Sequence, residues 1–175
     1  MPESDIEIKP ANWLSCVAIG KPGERTFFIQ ARDRDREVSL LVEKIQLQSL
    51  VLGIDEFLED IDEKYEGLEA AESDYDPGEM RVDSPVDPLY RVGEFGLAYA
   101  DDEDLAIILF REILTTQENQ DDLRVVRVWA TRSQLVIFAD WAKSIINSGR
   151  LTCPQCGEPM DPDGHLCPKK NGHKH

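Results

Sequence analysis

The chain has 175 residues, 41% of them hydrophobic, and a formal net charge of −16 at pH 7. A chain of this length fits one globular domain with an appendage, burying about 70% of the surface its unfolded form exposes, so collagen-like, coiled-coil and wholly disordered readings are excluded. No apolar run reaches the 18 or so residues of a membrane span, and the opening MPESDIEIKP is acidic with no apolar stretch where a secretory signal would sit. The expectation is therefore a cytoplasmic protein with no membrane partner, and its acidity speaks against binding nucleic acid.

In chain order, WLSCVAIG (13–20), RTFFIQAR (25–32) and REVSLLVE (36–43) are short apolar runs rich in β-branched and aromatic residues, which predicts three antiparallel strands. Lys21-Pro22-Gly23-Glu24 has Pro and Gly at the centre of a type II turn, and Asp33-Arg34-Asp35 suits a polar hairpin. The period then changes. Leu47, Leu50, Val51, Ile54, Phe57, Leu58 and Ile61 recur every three or four residues, which predicts one face of an amphipathic helix.

Residues 55–87 hold fourteen carboxylates against Lys64 and Arg81, −12 of the total charge. The second half of this stretch has few aliphatic residues and four breakers, Gly67, Pro77, Gly78 and Pro85, so residues 66–86 are expected to form a mobile acidic loop. That loop is read as a solvated linker, or as a docking segment for a basic protein partner.

The same order then returns. Residues 89–100, 104–114 and 122–131 predict strands, with a turn at Asp101-Asp102-Glu103 and the polar stretch TTQENQDD between the last two. Gly93 and Gly96 fit a bulge or a close backbone approach. Leu135, Phe138, Ala142, Ile145 and Ile146 mark a helix ended by Gly149 as a left-handed cap. At a spacing of 88 residues, Gln46-Leu47 falls on Gln134-Leu135. The predicted fold is α+β, two β-β-β-α units that suggest internal duplication, with the strands in two antiparallel sheets or one shared sheet and the helices on one face. Trp13, Trp129, Trp141 and most phenylalanines are assigned to the core.

Two domains follow: a body over residues 1–150 and a tail over 151–175. Cys16 stands alone in an apolar strand and reads as a small core residue. The tail, CPQCGEPMDPDGHLCPKKNGH, places Cys153 and Cys156 at C-x2-C spacing, with Cys167 as a third thiolate and either His165 or His173 as the fourth ligand. Three thiolates and an imidazole suit tetrahedral zinc and not the oxygen-seeking calcium or magnesium. Four protein ligands leave no open position, so the zinc is expected to be structural, and a tail with little aliphatic content depends on it to fold.

GKPGERTFFIQAR, EKIQLQSLVLGIDEFL, YRVGEFGLAYA and the cysteine tail, in that order, resemble a bacterial family called domain of unknown function 3090. The resemblance runs over about residues 12–173 and carries no activity with it. It implies that relatives keep G-H-x-C-P but often end in N-G-Y where this chain has Asn171-Gly172-His173, which favours His165 as the fourth ligand.

No Lys-bearing phosphate loop is present, and residues 1–164 contain no histidine to act as a base, so no catalytic residue is assigned. Two functional readings remain. The first is a non-catalytic adaptor or regulatory protein with a structural zinc site and a protein partner. The second is a zinc- or carboxylate-dependent enzyme acting on a small substrate.

Overall fold

The computed structural model describes residues 5–83, 86–115, 122–149 and 155–156. Seven strands form one mixed sheet: β1 (Asp5–Ile8), β2 (Trp13–Ile19), β3 (Thr26–Arg32), β4 (Glu37–Val42), β5 (Tyr90–Ala100), β6 (Leu105–Glu112) and β7 (Val125–Ala130). Helix α1 (Lys44–Lys64) follows β4 and α2 (Arg132–Asn147) follows β7. The class is α+β, and the strands share one sheet in the order β1-β7-β6-β5-β4-β3-β2. Within each unit the three strands run antiparallel, while β4 meets β5 and β7 meets β1 in parallel.

The outermost strands of this sheet, β1 and β2, are consecutive in the chain. Ile8 and Trp13 are five residues apart, so they lie within about 19 Å of each other, whereas the edges of a flat seven-stranded sheet would stand about 29 Å apart. The sheet must therefore roll. Its edges are tied where they meet, since Ala11 N–H donates to Trp129 O in β7 (2.7 Å) and Asn12 N–H donates to Arg32 O in β3 (2.9 Å). The strand β1 has no counterpart in the sequence reading, because four acidic-apolar residues carry too short a pattern to be recognised.

One sheet face and both helices enclose the core. Cys16, Ile29, Leu40, Val92, Ile108, Phe110, Val126 and Val128 meet Leu47, Leu50, Val51 and Ile54 of α1 and Leu135, Phe138, Ala139 and Ala142 of α2. Helix α1 uses the stripe read from the sequence, with Phe57 and Leu58 only partly buried. Lys143 pairs with Asp55 across the two helices at 2.9 Å.

Turn chemistry follows the sequence. Gly23 has φ +88° and Glu24 N–H donates to Lys21 O, the geometry that Pro-Gly at the turn centre requires. The Asp33 carboxylate accepts from the N–H groups of Asp35 and Arg36. The register of β5 slips between Val92 and Glu94, and a Cβ at Gly93 would lie 2.7 Å from Ile113 Cα, so the bulge is confirmed there. Gly96 faces open space instead.

Three expectations are corrected. Gly149 is not a left-handed cap: its φ is not positive, helix α2 ends at Asn147 with Ser148 as its C-cap, and the place of a Gly149 Cβ is taken by the guanidinium of Arg25, which donates to Ile145 O (2.7 Å) and Ile146 O (3.1 Å). A cation there complements the negative end of the helix. Trp13 and Trp129 are half-buried on the outward sheet face, outside the core, and only Trp141 packs against it. The acidic segment, expected to be a mobile loop over 66–86, lies along the body. Met80 in the helical turn Pro77–Met80 is 6% exposed, and its carbonyl accepts from Ser15 Oγ. Two of the anchors satisfy buried polar side chains of the body, Ser15 and Arg132, which would otherwise lack these acceptors.

Among the described residues no helix is long and apolar enough to cross a membrane.

Candidate functional site

The strap runs along α2 at Glu69, Glu72 and Tyr75 and reaches the outward face of β2, β3 and β4 at Glu79, Met80, Arg81 and Asp83. It is anchored at both ends of the body. At one end Arg132, only 7% exposed, donates to Glu69 O (2.9 Å) while its guanidinium grips Asp104 at 2.8 and 3.1 Å, and Glu72 N–H donates to Ser133 Oγ. The arginine's hydrogen bonds hold the Asp104 carboxyl below the usual carboxylate range, and Asp104 in turn raises Arg132. Along α2, Tyr75 Oη donates to Asp140 at 3.0 Å and its ring meets Trp141 edge-on. At the far end Trp13 Nε1 donates to Glu79 O at 2.8 Å.

The orientation of the strap's side chains is sorted. Glu66, Glu69, Glu72, Asp74, Asp76, Glu79 and Asp83 are all exposed, while Leu68, Ala71, Tyr75, Met80 and Val82 turn partly or wholly toward the body. This sorting is what the composition could not reveal, since apolar residues spaced this widely match neither helical nor strand periodicity.

Between the strap and the sheet lies a polar groove of about 440 Å³, with Gln30 and Ser39 at its floor and Trp13, Arg32, Glu37, Arg81, Asp83, Val86 and Asp87 around it. Gln30 Nε2 donates to Ser39 Oγ at 2.8 Å, and the Arg32 guanidinium lies 4.2 Å from the centre of the Trp13 ring and 3.6 Å from Glu37. Arg81 has no carboxylate partner among the described residues. A groove of this make-up can hold a polar group that offers both acceptors and donors. The sequence reading missed it because β3 is buried on both faces, so Gln30 and Ser39 do not stand out by alternation.

Of the sequence-derived metal ligands, Cys153, His165, Cys167 and the alternative His173 lie outside the described residues. Cys156 is described and half-buried in a turn. Among the described residues no three His, Cys, Asp or Glu side chains come together as a metal group. Cys16 is fully buried, and burial pushes its thiol up to about 12, so it is the protonated core residue the sequence suggests. The carboxyl groups with displaced titration, Asp33, Asp104 and Glu112, all move down, held ionised by backbone N–H groups or by arginines.

The sequence matches the family described as Protein of unknown function (DUF3090) over residues 7–167. The chain belongs to the DUF3090 family. The matched stretch takes in the described body from Glu7 onward and the Cys153, Cys156, His165 and Cys167 positions, and it stops before His173. No curated protein and no solved structure matches this DUF3090 chain.

Proposed function

We propose that this DUF3090 protein is a non-catalytic adaptor or regulatory protein of the cytoplasm that presents its acidic strap to a basic protein partner. The single observation carrying this reading is the sorting of the strap: seven carboxylates face solvent on a backbone pinned to Ser15, Trp13, Arg132 and Ser133. A held row of like charges loses less conformational freedom on binding than a free linker would, and it steers a basic surface toward one orientation. The tail is read as a structural zinc site formed by Cys153, Cys156, His165 and Cys167, a rigid appendage beyond α2. The two β-β-β-α units are read as copies of one ancestral unit, supported by the matching bonds of Gln46 and Gln134.

The test is a comparison of two baits in cell extract, the intact chain and one with Glu69, Glu72, Asp74, Asp76 and Glu79 changed to their amides. The reading expects a basic protein enriched on the intact bait alone and released by salt. The same proteins on both baits would refute it.

A further inference from the structure

Three polar side chains stand in one row across the outward face of β2, β3 and β4, where Ser15 pairs with Gln30 and Gln30 with Ser39 in register. All three are buried. The strap satisfies the first of them, since Ser15 Oγ donates to Met80 O. Gln30, 9% exposed, donates one N–H to Ser39 Oγ at 2.8 Å. Among the described residues its Oε1 accepts from no group, and the Ser39 hydroxyl donates to none. Gln30 Oε1 is not among the sealed side-chain atoms that lack a partner, so it opens into the groove beneath the end of the strap.

A buried amide and hydroxyl with bonding capacity left over make a costly floor unless something polar meets them. The groove above them, about 440 Å³, falls within the span of small-molecule sites, about 300 to 1,000 Å³. One wall is held in place: Trp13 Nε1 donates to Glu79 O, and Arg32 lies between the Trp13 ring and Glu37. Arg81, Asp83 and Asp87 line the other side, and none of them makes an ion pair among the described residues.

The signs of charge decide the ligand class. The whole lining sets the two arginines Arg32 and Arg81 against the three carboxylates Glu37, Asp83 and Asp87. An inorganic anion would meet all three carboxylates, and a simple cation would meet both guanidinium groups. A molecule carrying both signs answers each. We infer that this groove binds a small zwitterion of the amino-acid class, with its carboxylate on Arg81, its ammonium on Asp83 or Asp87, and a polar side chain on Gln30 and Ser39. An arginine suits the carboxylate because its fork of N–H donors matches the two oxygens.

Thermal melting of the full-length chain tests this with each of the twenty common amino acids at about 10 mM, and with glucose and inorganic phosphate for comparison. At least one polar amino acid should raise the melting temperature by about 2 °C or more. Titration calorimetry then gives its affinity. Arg81→Gln, at an exposed position, should melt as the intact chain does without ligand and weaken that amino acid about tenfold or more. Its N-acetyl derivative, which lacks the ammonium, should lose a similar factor on the intact chain. Lys44→Gln, on α1 outside the groove, should bind as the intact chain does. Gln30→Leu should abolish binding, and Ser39→Ala gives a second reading of the floor if Gln30→Leu fails to fold. No response to any amino acid, a larger response to glucose or phosphate, or equal affinity in the intact chain and Arg81→Gln would overturn the inference. The strap carboxylates amidated in the partner test lie outside the groove lining, so either proposal can fail alone.

Discussion

Gln46 and Gln134 stand at the third position of two helices, and each makes the same two bonds. Their Oε1 atoms accept from the capping residues' own N–H groups, those of Glu43 and Thr131, both at 2.8 Å. Their Nε2 atoms reach the first strand of the other unit or the residues leading into it, Val92 O at 3.0 Å for Gln46 and Ala11 O at 2.8 Å for Gln134. Each glutamine thus caps its own helix and ties it to the opposite half. Since Ala11 also bonds β7, the Gln134 bond braces the point where the rolled sheet closes.

Replacing either glutamine with Ala should cost about 1 kcal/mol for the lost cap, and more where a buried carbonyl is left without its donor. Gln134→Ala should exceed Gln46→Ala, because the Ala11 carbonyl lies at the sheet closure. Chemical denaturation of the two variants and their double mutant measures both terms.

The strap makes a second prediction. Met80→Ala should destabilise the body by about 2 to 3 kcal/mol, as large-to-small changes at buried positions do. Deletion of residues 68–83 should cost more, since it also strips the cover and partners of Ser15, Gln30 and Ser39. A thermal melt raised or unchanged by the deletion would mean that the strap is a bare linker.

Asp104 and Arg132 set a pH response. The arginine lowers the folded-state pKa of Asp104, so this pair adds stability that is present above the ordinary carboxylate range and fades as pH falls through the lowered value. Asp104 also has φ +48°, a conformation that Asn tolerates. Asp104→Asn should therefore destabilise by about 1 kcal/mol at neutral pH, a modest figure because the carboxylate is half exposed. The difference from the intact chain should shrink near pH 3, which parallel denaturation curves at the two pH values would show.

The tail carries the metal prediction. Purified protein should hold about one zinc per chain. Cys156→Ser should release it and leave the body folded. His165 is two residues from Cys167 and His173 six, so ordering the farther ligand costs more backbone entropy, about 1 to 2 kcal/mol per residue. His165→Ala should thus weaken zinc far more than His173→Ala in competition with a chelator.

The fold was legible where periodicity was long. The α1 stripe, the Pro-Gly turn before β3 and the Gly93 bulge each leave a local mark that a side-chain pattern must leave. Other features leave none. The four residues of β1 become a strand only because β7 offers an edge, Gly149 is set by an arginine 124 residues earlier, and Trp13 and Trp129 look like core residues until the sheet face is known. The strap is the same kind of case. Its composition fits a disordered linker, but Ser15, Trp13 and Arg132 lie far away in the chain and supply the bonds that hold it. The ligand residues of the tail rest on spacing, and the preference for His165 over His173 also on the family resemblance.

The most direct measurement is calorimetric titration of a lysine-rich peptide, standing in for the proposed basic partner, against the intact chain and against the chain with strap carboxylates 69, 72, 74, 76 and 79 amidated, at low and physiological salt. The account predicts tight binding to the intact chain that weakens with salt, and for the amidated chain an affinity at least about tenfold lower with a shallower salt response. Equal affinity and equal salt response in the two chains would contradict it.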